Sequence, residues 1–325
     1  GMSGWSGNIE AWIPDIYVPP DFSMNRTPLF WFDVPSSMPP IGNEGEYNFA
    51  SVLTGVGNFD QWVCNASLAP FEILAEGPGG HFYVNATSGD NGNNGLSADE
   101  AWKTITHALE QVEGLEDYPA TIHVAAGTYA SSTNGETFPL NMKSYVSLIG
   151  DSPDKTILDA EGTTYHVIYC NGVNNLTIEG FTITGGKAHG RLSSPDSSGG
   201  GVYCYNSSPT IENNTITDNS ADRSGGGISC YNSSPTIENN TITDNNGASH
   251  GGGIYCYKSS PIIDNNTIAD NSAGIYSDYD KGGGGIYCYK SSQIFGNSGG
   301  GIYCHESSPT ISNNTITDNS AGSGT

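Results

Sequence analysis

The sequence predicts an all-β chain wound as a right-handed parallel β-helix from residue 79 to residue 325. Two observations carry this. The runs GGGVYCYNSSPTIENNTITDNSA, GGGISCYNSSPTIENNTITDN and GGGIYCYKSSPIIDNNTIADN begin at Gly199, Gly225 and Gly251, 26 residues apart. None holds a helix-forming stretch, and a period of roughly 20–30 residues built that way means one β-coil per repeat.

Composition narrows the partners. With 10 Lys+Arg against 34 Asp+Glu, the formal charge of −24 argues against nucleic acid and anionic membrane surfaces, both of which need basic residues. A polyanionic sugar is disfavoured unless divalent cations bridge the carboxylates, so neutral polysaccharide stays open. No apolar run is long enough to insert into a membrane. Seven Cys cannot all pair within one chain, and most recur in a single motif, which points to packing. Gly1 before Met2 resembles a scar from tag removal, so a signal peptide is expected to lie outside this sequence, as for an extracellular or cell-surface protein.

Residues 1–78 differ from the rest. They hold Trp5, Trp12, Trp31 and Trp62 and nine of the 17 Pro. Such Pro density precludes long helices and central strands, and such aromatic density precludes a disordered linker. The segment reads either as irregular chain packed on the start of the β-helix or as the tail of a preceding domain.

GDNGNNG at 89–95 is a turn cluster. Ser97 and Glu100 then fit a capping box, and Trp102, Ile105, Leu109 and Val112 follow at helical spacing, predicting an amphipathic helix near 97–113. A lone apolar face must cover something, and the end of a solenoid needs a cap. Alternating strands follow in ATIHVAAGTY, KSYVSLIG and KTILDA. YVNATSGDNGNNGLSADEAWKTITHALE, with IHVAAGTY and VSLIGD, resembles a family of unknown function that opens many surface β-helix proteins.

Within each repeat, strand alternation sends Val202, Ile228 and Ile254 inward with Cys204, Cys230 and Cys256. Ile211, Ile237 and Ile263 form a second inward column, and Ile216, Ile242 and Ile268 a third. This pattern is similar to the pectin-lyase-like superfamily of right-handed β-helices. Beyond residue 270 the Gly-Ile-Tyr-Cys words give steps of 32 and 16 residues, and 16 cannot hold three strands. The favoured threading starts a coil at Gly274-Ile275-Tyr276 and the next at Gly301, giving coils of about 21–27 residues. It removes Cys288 from the Cys column. The end at Thr325 has no closing cap, so further domains of a larger surface protein, or a partner, are expected to cover it.

The paired Asn at 213–214, 239–240, 265–266 and 313–314 occupy one place in every coil and predict a stacked amide ladder. The Cys column lacks the convergence that zinc requires and reads as small buried hydrophobes. On the outer side of the first strand, Tyr203, Tyr255, Tyr276 and Tyr303 predict an aromatic face, with Ser229 interrupting it. Such a face could stack sugar rings or serve only as a packed surface.

The turns before this strand carry Lys187, His189, Arg191, Arg223, His250, Asp278 and Asp280. Lys187 and His189 would meet a sugar edge. Arg191, Arg223, His250 and Asp278 are the candidate catalytic set for a polysaccharide lyase or glycoside hydrolase. In the lyases that the fold resembles, the cleft runs along this strand, with Ca²⁺ held by carboxylates and Arg or Lys as base, but no motif here carries those residues over. No cofactor is required, although Asp278 and Asp280 would take Ca²⁺. Three functions follow: binding polysaccharide along the first-strand face, cleaving it there, or serving as an adhesin stalk without catalysis.

Overall fold

The computed structural model describes residues 46–47, 71–72, 79–162, 166–189, 197–277, 280–281, 283–289 and 301–322. The chain divides into two compact units, Gly1–Gly77 and Pro78–Thr325. In the first, Glu46–Tyr47 and Phe71–Glu72 pair antiparallel.

The second unit is a right-handed parallel β-helix. Its first face, here the Glu face, stacks Gly80–Val84, Ala120–Val124, Val146–Gly150, Thr177–Glu179, Thr210–Glu212, Thr236–Glu238, Ile262–Asp264 and Thr310–Ser312. The Thr face runs from Gly127–Tyr129 through the repeated Thr-Ile-Thr strands to Thr315–Thr317. A narrow sheet of two-residue strands such as Ser220–Ala221 follows. The Tyr face closes each coil with Leu140–Asn141, Ile168–Asn171, Val202–Tyr205, Ile228–Tyr231, Ile254–Tyr257, Ile286–Tyr289 and Ile302–His305.

The 26-residue period places like on like. Ile211 pairs with Ile237 and Ile237 with Ile263, while Ile216, Ile242, Ile268 and Ile316 form the expected column. Ile216, Ile242 and Ile268 are fully buried, and Ile316, on the last coil, is partly buried. Cys170, Cys204, Cys230, Cys256, Cys288 and Cys304 stand in register and are unpaired.

Turn chemistry explains the polar residues. Asn213, Asn239 and Asn265 take left-handed φ of 54–57°, which Asn tolerates better than most residues. The Asn that follows each is buried. Asn240 Nδ2 donates to Ile211 O, Glu238 O and Asn266 Oδ1, which satisfies carbonyls of two coils at once. The sequence missed a second ladder of the same design, Asn219–Asn245–Asn271–Asn319, behind left-handed Asp218, Asp244, Asp270 and Asp318. The Gly triplets have a similar cause: Gly225 has φ +65°, and a Cβ on Gly226 would lie 2.5 Å from the Asn246 backbone.

Two expectations need correction. The favoured threading beyond residue 270 is wrong. Ile286–Tyr289 pairs with Ile254–Tyr257, so Cys288 stays in the column, and Ile275–Ser277 forms an antiparallel hairpin with Asp280–Lys281. The Gly-rich entry to the strand lies at 283–285, with none after Gly274. The 16-residue step is not a coil. Ile302–His305 adds a further strand to the Tyr face, while Thr310–Ser312 returns to pair with Ile262–Asp264.

The helix is also shorter than expected. It spans Ile105–Gln111, with Thr104 Oγ1 accepting from His107 N, whereas Ser97 closes only a local turn with Glu100. Asn91 Oδ1 accepts from Lys103 N and Thr104 N, which holds the preceding loop in place up to the helix start. Ile105, Ala108 and Leu109 are buried within the core at the first coils.

Candidate functional site

The Tyr face carries two outward columns. The first is Tyr169, Tyr203, Ser229, Tyr255, Tyr287 and Tyr303, in strict register. Its middle is covered. Tyr203 is 2% exposed and Tyr287 1%. Residues from the preceding turns lie over them: His166 stacks on Tyr203 at 5.0 Å, and His250 lies 4.6 Å from Tyr287. Tyr203 therefore points outward, as alternation requires, without offering a ring face to solvent. Tyr255 is partly exposed between Tyr287 and His250. Tyr303 stacks on Tyr287 at 4.8 Å. Tyr276, expected between them, lies on the antiparallel hairpin and outside this column.

Two residues along the same strands, Tyr205, Tyr231, Tyr257, Tyr289 and His305 form the second column, with ring centroids 4.8 to 5.9 Å apart. Tyr205, Tyr231 and Tyr257 are half-exposed. Rings stacked on one another use up their faces, so the column presents ring edges and phenol groups. Beside each Tyr stand an exposed left-handed residue (Asn206, Asn232, Lys258) and an exposed Ser (Ser208, Ser234, Ser260). The Tyr-Asn-Ser-Ser word contained this column, but its greater accessibility depends on turns that cover the neighbouring one.

The turn before the Tyr face holds two polar pairs. His189 Nδ1 lies 2.5 Å from Asp222 Oδ2, and both are accessible. Ser224 Oγ lies 3.5 Å from His250 Nδ1, and both are buried. An imidazole oriented by a carboxylate can exchange protons, but the fully buried Ser224 cannot meet a polymer as the chain stands. Arg223 is exposed, with its backbone tied to Ser197 and Ser249. Lys187 is exposed on Lys187–Ala188. Arg191 and Asp278 lie outside the described residues. Asp280 lies on the hairpin strand. Among the described residues, no three His, Cys, Asp or Glu side chains are grouped to hold a metal ion.

One electrostatic feature escaped the sequence reading. Glu179, Glu212, Glu238 and Asp264 are in register on the Glu face. Burial, together with the Glu179 and Glu238 carboxylates, holds the Glu212 carboxyl above its usual range. Its signal was the repeated Thr-Ile-Glu word, one strand away from the face on which carboxylates were sought.

Coil geometry and the stacked parallel sheets define a right-handed parallel β-helix. A family model described as "Protein of unknown function (DUF1565)" matches residues 87–286, and the chain belongs to that family. Among solved structures the chain is similar to a pectin methylesterase from carrot, with 11% identity, a TM-score of 0.37, and coverage of 71% of this chain and 83% of that one. It is similar also to pectin methylesterase PemA from Erwinia chrysanthemi, with 11% identity, a TM-score of 0.34, and coverage of 70% and 89%. A rhamnogalacturonan lyase gives 14% identity, a TM-score of 0.33, and coverage of 70% and 66%. No curated protein sequence matches the chain. Among the described residues, no helix is long and apolar enough to cross a membrane.

Proposed function

We propose that the protein is an extracellular or surface-attached β-helix that binds neutral polysaccharide along its Tyr face without cleaving it. One observation carries the reading. Tyr205, Tyr231 and Tyr257 present the same half-exposed phenol edge in three successive coils, each beside an exposed left-handed residue and a Ser. Successive coils are about 4.8 Å apart, close to the length of one pyranose in an extended chain, so a glycan parallel to the helix axis meets equivalent donors at each sugar. The net charge of −24 favours an uncharged polymer.

A panel of neutral and acidic polysaccharides tests this, with product analysis for reducing and unsaturated ends. The expected result is binding of a neutral polymer, weakened by Tyr231→Ala with Tyr257→Ala, and no new ends. Unchanged binding in that double variant would move the site elsewhere. No binding at all would leave the stalk reading, which the unbroken Asn ladders favour. New ends lost in Arg223→Ala would make the protein an enzyme.

A further inference from the structure

Far from the Tyr column, on the Glu face, two histidines converge. His81 lies on Gly80–Val84 and His123 on Ala120–Val124. The parallel register sets His81 beside Thr121 and Tyr83 beside His123. The two histidines are thus diagonal neighbours on the outward side. Their rings stack with centroids 5.0 Å apart, and His81 Nδ1 lies 2.8 Å from His123 Nε2. Tyr83 also stacks on His123, at 5.3 Å. His123 also lines a cavity of about 320 Å³, with Tyr83, Asn85, Ile149 and Asp151 among its other walls.

We propose that His81 and His123 form a binding site for a borderline divalent transition cation, Zn²⁺, Cu²⁺ or Ni²⁺. Imidazole nitrogen suits these ions and not Ca²⁺. Metal–nitrogen bonds of 2.0–2.1 Å at a tetrahedral angle set two ligand nitrogens about 3.3 Å apart. The 2.8 Å pair reaches that span by a small rotation of the exposed His81 ring. The imidazole that donates in the pair moves its proton to its other ring nitrogen, so both lone pairs face the cation and no proton is lost. Water would complete the coordination shell; Asp151, on the wall of the adjoining cavity, is ion-paired with Lys155 at 3.0 Å. The strongly acidic chain enriches cations around it.

This site is independent of the glycan reading. Calorimetric titration of the full chain with Zn²⁺ at neutral pH, with Cu²⁺ paramagnetic resonance as a second readout, tests it. One ion per chain is expected. Nitrogen hyperfine structure should report two imidazoles. His81→Gln and His123→Gln should each weaken binding at least about tenfold. His107→Gln, on the helix, should leave binding unchanged. Should His123→Gln unfold the chain, the His81→Gln variant, whose ring is exposed, decides alone. No uptake by the parent, uptake in both pair variants equal to the parent's, or loss with His189→Gln instead would overturn the proposal.

Discussion

The carboxylate of Glu136 accepts the backbone N–H of Ile105 at 2.7 Å, across 31 residues of sequence. Its second oxygen takes Thr106 N at 2.9 Å. Glu136 is 1% exposed, so a buried carboxyl group satisfies amides that the helix itself cannot. Glu136→Ala should strand those donors and lower unfolding free energy by about 3 kcal/mol. Gln keeps one acceptor and should lose less. Urea unfolding of both variants checks the order.

The Asn pairs at the turns have divided roles. Asn239 supplies a left-handed φ of 57°, while Asn240 donates to three acceptors and takes the amide of Asn214. Asn240→Ala should cost about 3 kcal/mol or more, because each buried group left unsatisfied costs roughly 1–3 kcal/mol. Asn239→Gly should be close to neutral. Equal losses in denaturant midpoint would contradict this division.

Thiol reactivity should separate the column from its end. Cys204, Cys230 and Cys256 are fully buried, and thiols buried in apolar surroundings are inert. Cys304 is exposed. A thiol reagent should label Cys304 in the native protein and reach Cys204, Cys230 and Cys256 only on unfolding, as mass mapping would show.

The stacked carboxylates predict a pH effect of defined sign. Burial and like charges raise the folded-state pKa of Glu212, so the folded chain holds that proton more tightly than the unfolded chain. The resulting stability is fully present below the unfolded value of about 4.3 and is lost as pH rises through the folded value. Glu212→Gln should therefore raise the melting temperature at pH 7 and have little effect near pH 3. Added salt should narrow the gap at pH 7.

The core columns were legible because strand alternation and a fixed period act on identical words. Ile216, Ile242 and Ile268 can stack only if each coil repeats. The stretch from 274 to 301 was not, because three Gly-Ile-Tyr words compete there and only the cross-strand partners of Cys288 decide among them. Helix length was obscured because Ser97 and Glu100 satisfy a local capping pattern, whereas the helix starts at the Thr104 cap and Glu136, from a distant loop, takes two of its first amides. Accessibility on the Tyr face was hidden for a similar reason: His166 and His250 approach from turns whose path the strands do not specify.

The Asn ladder also acts as a gauge of growth. Its rungs Asn240 and Asn266 are 26 residues apart, yet Asn266 and Asn314 are 48 apart, so 22 added residues (48 − 26) leave the rung spacing intact. Deleting one whole unit, residues 225–250, would join edges already matched to each other. A chain of this kind can lengthen or shorten in single steps of one strand spacing, and each step retains the same mating surfaces.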